Sequence, residues 1–239
     1  MNHTPSPKSR KNFAGLFRFS VSGFLVALVL QLVALPAMQH FDNPTRLEAI
    51  SLTIVMAMAV QAVGHRRREL VLAGVLVLPA IAGRWLFHFW PEHVLPEIYL
   101  GSALIFILFV IIQFLRFILR APRVDSEVLC AGVSTYLMLG LLWSFAYLFL
   151  AARAADAFVF NVGRDAAHGM DSFTSLYFSF ATLSTVGYGD ITPASNMARM
   201  LAAAEAITGT LFVAVLISRL VSLYSSQPPA PPTQESPGK

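Results

Sequence analysis

The chain has 239 residues, of which 56% are hydrophobic and only 13% charged, and its formal net charge is +4. About a quarter of the residues of a soluble domain are charged, so this composition indicates an integral membrane protein. The positive charge does not indicate nucleic-acid binding, because the basic residues lie at the ends of apolar segments, where they orient helices in a membrane. Cys130 is the single cysteine, which excludes an intrachain disulfide and a cysteine metal site.

Long apolar segments predict six membrane-spanning helices, each of a length that can cross a bilayer. The predicted spans are about Phe19–Met38, Leu47–Val63, Leu70–Trp90, Ile98–Leu119, Glu127–Ala152 and Asn196–Tyr224. The apolar segment Val21–Leu35 follows several basic residues, as in a secretory signal. No convincing cleavage pattern of small residues comes after it, so we expect an uncleaved first helix.

Basic residues predict the orientation of these helices. Lys and Arg are concentrated before the first span, between the second and third spans and at the end of the fourth span. Because short cytoplasmic connections carry an excess of Lys and Arg, both termini are expected in the cytoplasm. The protein is expected in the cell membrane, that is, the inner or plasma membrane, and the connection between the fifth and sixth spans then faces outward.

A short apolar segment and a glycine-containing motif lie between the fifth and sixth spans. Asp171 can cap a helix over Ser172–Ser184, about 13 residues or roughly 20 Å, which is too short to span a bilayer. The motif follows directly and reads Thr185-Val186-Gly187-Tyr188-Gly189-Asp190. A turn between two helices would explain such a run in isolation. A half-spanning helix that directs its negative dipole end at non-helical backbone favours an ion path instead.

The motif predicts a potassium selectivity filter. A potassium ion in a pore exchanges its water shell for backbone carbonyl oxygens that point at one axis. Gly187 and Gly189 can adopt positive φ without a Cβ clash, which lets successive carbonyls face the same way while the side chains of Val186 and Tyr188 point outward into packing. The filter residues expected to coordinate potassium are Thr185, Val186, Gly187, Tyr188 and Gly189, with K⁺ itself at the first four.

With this motif the sequence resembles the potassium channels of the voltage-gated-like ion channel superfamily, in a bacterial type with six spans and one pore loop. The resemblance implies an all-α integral membrane fold of six transmembrane helices with a re-entrant pore helix and filter, assembled as a tetrameric pore. It implies four parts: a cytoplasmic arm (1–18), a peripheral, voltage-sensor-like domain of four helices (19–124), a pore domain (125–224) and a disordered cytoplasmic tail (225–239). The chain has one filter motif and four strands must surround an ion, so we expect a homotetramer.

The resemblance also assigns residues around the filter. It implies that Tyr177 and Phe178 form an aromatic cuff against the filter tyrosine and that Gly209 is the hinge of the inner helix. Some relatives have a carboxylate at the position of Ala181 that bonds to the filter aspartate. That partner is absent here, which leaves the supporting role of Asp190 open. For Gly209, close helix packing is the alternative to bending.

Glu205 is the only acid in the sixth span, and carboxylates inside a membrane usually have a partner. We hypothesise that Glu205 supports the filter by facing the back of the pore helix and accepting a hydrogen bond from Thr182 or Ser184. A protonated Glu205 in a protein pocket and a pore-facing carboxylate are the alternatives. Further along the same span, an apolar gate that closes by dewetting has four candidate residues: Ala214, Leu216, Ile217 and Leu220.

The fourth span carries no charge from Ile98 to Gln113, whereas relatives that sense voltage have arginines at every third position there. Arg116, Arg120 and Arg123 lie at its inner end. Steep voltage gating needs several charges per subunit within the membrane field, so we expect no classical voltage sensing. These arginines are interpreted as interfacial anchors, with binding to anionic lipid headgroups as the alternative.

Arg84 is the lone basic residue inside the apolar third span. An arginine there can extend its charged head to the outer interface. The alternative is an ion pair with one of three acidic residues: Glu48, Glu92 or Glu97.

Other classes of protein fit less well. The six histidines are scattered without metal or triad spacing, so neither an enzyme nor a cofactor is expected, and K⁺ enters only as the permeant ion. A transporter would have paired broken helices in two related halves. A non-selective pore would be favoured by an acid at Tyr188 or by broken glycine alternation. The short tail is not expected to hold a ligand domain, so any such regulation would come from a separate regulatory subunit. A structural subunit of mixed tetramers stays open as an alternative. The sequence does not indicate what stimulus opens the channel.

Overall fold

The computed structural model describes residues 7–41, 43–63, 67–90, 96–123, 125–161 and 169–225, with the backbone alone described for 7–20 and 223–225. These residues form seven helices and two short strands. The helices are α1 (Pro7–Met38), α2 (Pro44–Val63), α3 (Arg67–Phe89), α4 (Pro96–Arg120), α5 (Ser126–Arg153), α6 (Ser172–Leu183) and α7 (Asn196–Ser225). The strands are β1 (Phe158–Phe160) and β2 (Ile191–Pro193).

Six of the described helices are long and apolar enough to cross a membrane, and the exception is α6, which has 12 residues. The prediction of an all-α membrane protein with a short helix before the last span is therefore confirmed. The helices α2 and α4 begin at Pro44 and Pro96, a few residues before the predicted spans. Proline suits a first helical turn, because the N–H that it lacks would have no partner there.

The structure describes the two ends of the chain only in part. From Pro7 onward the predicted arm, 1–18, is helical and belongs to α1, which continues to Met38, and its assignment as a cytoplasmic arm stays a prediction. The sequence between Pro7 and the apolar segment contains no further proline to interrupt a helix, so the apolar span continues the same helix. Apart from Ser225, the predicted tail 225–239 lies outside the described residues, and the four-part division stays a prediction.

The first four helices pack against α5 of the same chain. The helix α4 lies between α3 and α5, and α1 packs on both α2 and α5. Phe24 of α1 and Phe114 of α4 are buried together, with ring centroids 5.6 Å apart and nearly parallel planes. The first four helices are thus joined to α5 through a continuous apolar core.

The short helix α6 packs between α5 and α7, and small residues on α5 permit its close approach. A Cβ at Gly140 would lie 2.6 Å from Cε1 of Phe180, so only glycine fits there. Buried hydroxyls of Ser144 and Ser175 are 2.9 Å apart and tie α5 to the first half of α6. Asp171 caps α6, because its Oδ1 accepts a hydrogen bond from the Thr174 N–H at 2.7 Å.

The two strands were not predicted. They pair antiparallel, with Phe158 opposite Pro193 and Phe160 opposite Ile191. Each has only three residues, too few for an alternating pattern to stand out in the sequence. The pairing joins the segment after α5 to the segment that leaves the glycine motif.

Candidate functional site

The glycine motif is attached to the end of α6 by backbone hydrogen bonds. The N–H of Thr185 donates to the Thr182 carbonyl at 2.9 Å, and the N–H of Gly187 donates to the Ala181 carbonyl at 3.0 Å. In a planar trans peptide the N–H and the C=O point in opposite directions. The Val186 carbonyl shares a peptide with the Gly187 N–H, and it therefore points away from α6.

Three residues of the motif have positive φ: 61° at Thr185, 52° at Gly187 and 79° at Gly189. The two glycines adopt the conformation that the sequence predicts for them. A Cβ at Gly187 or Gly189 would meet no atom within 4 Å, so the backbone conformation rather than lack of space favours glycine there. Positive φ at Thr185 was not predicted. A non-glycine residue in this region costs of order 1 kcal/mol and persists where the surroundings fix it, which here includes the Thr182 hydrogen bond.

The side chains of Val186 and Tyr188 point away from the chain's own core. Val186 is 55% exposed and Tyr188 is 71% exposed. Tyr188 has one aromatic neighbour within the described residues, Tyr177 of α6, with ring centroids 6.0 Å apart and an interplanar angle of 7°. Within a single chain, the outward packing that the sequence predicts for these two side chains is therefore incomplete: Tyr188 is covered on one face by Tyr177, and Val186 remains largely exposed.

Asp190 has a partner that the sequence analysis did not find. The Tyr177 hydroxyl donates to Asp190 Oδ2 at 2.7 Å, and the N–H of Ile191 donates to Oδ1 at 3.0 Å. A tyrosine hydroxyl therefore occupies the role left empty by the absent carboxylate at Ala181. The resemblance assigns a role only to the ring of Tyr177. Its hydroxyl, a hydrogen-bond donor near an acidic residue, is the feature of the sequence that points to this bond.

Phe178 does not stack on Tyr188 within the described residues, and its predicted part in an aromatic cuff with Tyr177 stays a prediction. Its buried ring makes edge contacts with Tyr147 of α5 and Phe158 of β1, at centroid distances of 4.9 and 5.6 Å. Consecutive helical residues point about 100° apart, so the rings of Tyr177 and Phe178 contact different parts of the chain. Tyr177 faces the motif, and Phe178 anchors the back of α6.

Glu205 of α7 is completely buried and faces the back of α6, as the sequence analysis hypothesised. Its donors differ from those proposed. Oε1 lies 2.5 Å from the Ser179 hydroxyl, and Oε2 accepts a hydrogen bond from the Tyr147 hydroxyl. Ser184 instead bonds to a carbonyl of its own helix. The partner on α6 is therefore Ser179, one turn before Thr182.

Ser179 has two acceptors nearby and one proton. Its Oγ is 2.7 Å from the Gly140 carbonyl and 2.5 Å from Glu205 Oε1. Both contacts become hydrogen bonds if Glu205 is protonated and donates to Ser179, which then donates to Gly140. This chain of bonds joins α5, α6 and α7 and agrees with the protonated form that the sequence analysis gives as an alternative.

Gly209 lies at the tightest contact between α7 and α6. A Cβ there would overlap the carbonyl oxygen of Leu183, the last residue of α6. The helix α7 is unbroken at this point. On either side, Thr208 and Thr210 bond back to carbonyls four residues earlier, at 2.7 and 2.9 Å, a pattern that often bends helices. Close packing at Gly209 is thus observed, and the hinge stays a prediction.

The four gate candidates fall into two groups. Leu216 and Leu220 pack against the core of their own chain, and Leu216 reaches Gly132 of α5. Ala214 and Ile217 are exposed, Ile217 by 55%. The exposed pair lies on the face of α7 that has no cover within the chain.

Two arginines join helices that are distant in the sequence: Arg84 joins α3 to α2, and Arg219 joins α7 to the end of α4. Arg84 pairs with Glu48 at 3.5 Å, which is the pairing alternative of the sequence analysis, while Glu92 lies outside the described residues. Near the inner end of α7, Arg219 donates to the carbonyls of Leu119 and Ala121 at 3.0 and 3.1 Å. Those carbonyls belong to the end of α4, so Arg219 joins the last span to the fourth.

Comparisons with known proteins identify a family and several relatives with similar sequences. Residues 132–226 match the model of a family described as ion channel. Protein LctB of Bacillus caldotenax is 36% identical over 103 residues, which cover 41% of this chain and 74% of that protein. Two pore potassium channel c of Oryza sativa subsp. japonica is 37% identical over 83 residues, which cover 32% of this chain and 18% of that protein.

A third relative, Probable potassium channel protein 2 of Methanocaldococcus jannaschii, is 44% identical over 50 residues, which cover 21% of this chain and 15% of that protein. The chain thus spans less than a fifth of the length of either relative named as a potassium channel. No solved structure matches the chain.

Proposed function

Because the chain belongs to the ion channel family, we propose that it is a potassium-selective channel that conducts K⁺ passively down its electrochemical gradient. One observation carries the proposal: a half-spanning helix ends in a glycine-alternating strand whose N–H groups at Thr185 and Gly187 bond to that helix. The carbonyl side of the strand is left free to replace the water shell of an ion. The relatives named as potassium channels support potassium as the ion.

The ion would be coordinated by carbonyl oxygens of the filter, with K⁺ at Thr185, Val186, Gly187 and Tyr188. Two features support a fixed filter diameter. Tyr177 contacts the filter through both the ring of Tyr188 and the carboxylate of Asp190. Glu205, Ser179 and Tyr147 brace the back of α6. Conduction of this kind requires no cofactor and no chemical reaction, in keeping with a channel rather than an enzyme.

The functional unit in this proposal is a homotetramer. One chain contributes one filter strand, and four strands are needed to surround an ion. The exposure of Val186, Tyr188 and most of α7 supports further copies as the missing cover, because large apolar surfaces of this kind mark interaction sites. The exposed residues Ala214 and Ile217 would then lie on the face toward the axis or a neighbouring chain, where an apolar gate can close.

The chain would lie in the inner or plasma membrane, in contact with membrane lipid, with both termini in the cytoplasm. The distribution of Lys and Arg along the sequence supports this orientation. The fourth helix has its arginines only at the inner end, so we expect no classical voltage gating. The tie from Arg219 to α4 offers a route by which the peripheral helices, or a separate regulatory subunit acting on them, would influence the gate.

Ion flux in liposomes that contain only the purified protein tests the proposal. We expect potassium flux that barium blocks and no comparable sodium flux. Equal sodium flux would contradict the filter assignment. Gly187→Ala is the matched variant, since positive φ at this position disfavours any side chain. It should lose flux or selectivity, whereas Gly74→Ala, where a Cβ meets no atom within 4 Å, should retain both.

A structural subunit that needs other chains would give no flux under any condition. Recordings under membrane tension and at varied pH distinguish that outcome from a closed gate. A channel that opens under one of these stimuli supports self-sufficient conduction, and silence under all of them contradicts it.

A further inference from the structure

Asn161, the residue directly after β1, contacts the outer end of the filter through both its backbone and its side chain. Its N–H donates to the Asp190 carbonyl at 2.7 Å. Its side-chain Nδ2 donates to the Gly189 carbonyl at 2.9 Å and lies 3.4 Å from Thr192 Oγ1. Because a carbonyl oxygen only accepts hydrogen bonds, it is the amide nitrogen of Asn161 that faces Gly189.

Asn161 is held in this position by the strand pair and its anchors. Phe158 and Phe160 of β1 lie opposite Pro193 and Ile191 of β2, and the N–H of Ala194 donates to the Ala157 carbonyl at 2.8 Å. The ring of Phe158 is packed between Tyr147 and Phe178. The segment that carries Asn161 is thus fixed both to the exit of the filter and to the back of α6.

Gly189 is a filter residue whose conformation leaves its carbonyl in need of such support. It has φ of 79°, and a Cβ there would meet no atom within 4 Å. A glycine without side-chain contacts leaves its neighbouring peptide groups free to rotate. Asn161 is the described residue that bonds to its carbonyl.

We propose that Asn161 is a positioning residue that fixes the outer end of the filter, by holding the Gly189 carbonyl toward β1 and out of the ion path. The coordinating carbonyls then end at Tyr188, which revises the expectation that Gly189 also coordinates potassium. Gly189 instead serves as the turn by which the chain leaves the filter. This inference rests on the proposed potassium conduction. The inference predicts that Asn161 affects only the outer mouth of the filter, where potassium ions arriving from outside lose their water shell.

The test compares wild type with Asn161→Leu, which is similar in shape but has no donor, in the full chain reconstituted in liposomes. Flux is measured over a graded series of external potassium concentrations with internal potassium fixed, and then with the two sides exchanged. We expect the external concentration that sustains half-maximal flux to change by roughly two- to tenfold, the range of one net hydrogen bond. The dependence on internal potassium should stay as in wild type.

Thr192→Val is the matched control, since it removes only the long contact to the Asn161 side chain and should behave as wild type. An unchanged external dependence in Asn161→Leu, or equal changes on both sides, would overturn the inference. If Asn161→Leu fails to assemble, Asn161→Ser is measured instead, and its shorter side chain must show the same one-sided change. Absence of selective potassium flux in wild type would contradict the proposed function instead.

Discussion

Tyr177 donates a hydrogen bond of 2.7 Å to Asp190, 13 residues further along the chain, and so joins the middle of the short helix α6 to the last residue of the glycine motif. The same tyrosine stacks on Tyr188. One side chain thus contacts the filter strand by both its ring and its hydroxyl. The ring restricts where the strand lies, and the hydroxyl restricts how the strand turns away from the axis.

Replacement of Tyr177 by Phe separates these two contacts. The ring remains, and the Asp190 carboxylate loses one of its two donors, which for a charged acceptor is worth about 1.5–3 kcal/mol in a buried setting and less where water competes. We expect selective potassium flux that declines faster with time, and a tetramer that dissociates at a lower temperature. Both are measured on purified protein in potassium.

The control for this change is Tyr136→Phe. Tyr136 also stacks on a phenylalanine, Phe212, but its hydroxyl has no hydrogen bond within the described residues. It should behave as wild type in both measurements. If Tyr177→Phe and Tyr136→Phe are indistinguishable, the hydroxyl of Tyr177 has no part in holding the filter.

Glu205 is expected to tolerate an amide and not an apolar side chain. In Glu205→Gln, Nε2 can donate to Ser179 while Oε1 accepts from Tyr147, so every hydrogen bond of the protonated acid is reproduced. Glu205→Leu leaves the buried Tyr147 hydroxyl without its acceptor, at about 1–3 kcal/mol, whereas Ser179 can still donate to the Gly140 carbonyl. Thermal dissociation of the tetramer should thus be nearly unchanged for Gln and shifted down clearly for Leu.

A glutamine variant as unstable as the leucine variant would show that Glu205 acts as a charged carboxylate. Tyr147→Phe, alone and combined with Glu205→Leu, supplies the remaining corners of a double-mutant cycle. Because Tyr147 contacts Glu205 directly, the two changes should not add.

Features that depend on composition, length or local conformation could be predicted from the sequence. The six spans follow from apolar runs, the cap at Asp171 from its residue type, and positive φ at Gly187 and Gly189 from glycine alternation. The contacts of Glu205 and Asp190 could not, because they depend on which face each helix presents to its neighbour. The sequence establishes that Glu205 needs a partner, but Ser179 and Thr182 lie on nearly the same face of α6.

The pairing of β1 with β2 and the contact of Asn161 with Gly189 could not be predicted for a related reason. A strand of three residues leaves no periodic pattern, and the partners Asn161 and Gly189 are 28 residues apart. Nothing local in Asn161 indicates a filter contact. The same holds for Arg219, whose acceptors at the end of α4 are about a hundred residues earlier.

Gly209→Ala tests close packing against helix propensity. Alanine favours a helix by about 1 kcal/mol over glycine, so an effect of propensity alone would stabilise the protein. A Cβ at Gly209 would overlap the Leu183 carbonyl, and overpacking of this kind costs typically about 1–3 kcal/mol. We therefore expect a lower dissociation temperature for the tetramer and impaired potassium flux.

Gly74→Ala is the matched control for Gly209→Ala, because Gly74 lies in the helix α3 and a Cβ added there would meet no atom within 4 Å. It should be neutral or slightly stabilising. If Gly209→Ala is also neutral in stability but alters the opening of the channel, bending at Gly209 rather than packing would be its main role.

Arg219 offers a test of how the peripheral helices act on the pore. Its guanidinium donates to two carbonyls at the end of α4, where a helix leaves its last carbonyl groups without partners. In the proposed channel α4 lies outside the helices that form the pore, so this tie would resist movement of the C-terminal end of α7 toward the axis. Arg219→Met should therefore favour the closed gate and reduce potassium flux about tenfold, for a coupling of about 1.4 kcal/mol, with the potassium-to-sodium ratio unchanged.

The control is Arg116→Met, since Arg116 bonds within the described residues only to Gln113 of its own helix. It likewise replaces an arginine by an uncharged side chain and should leave flux as in wild type. Equal losses in both variants would assign the effect to surface charge rather than to the tie. Loss of selectivity in Arg219→Met would mean that the change reaches the filter, and a gate role for this contact would then be wrong.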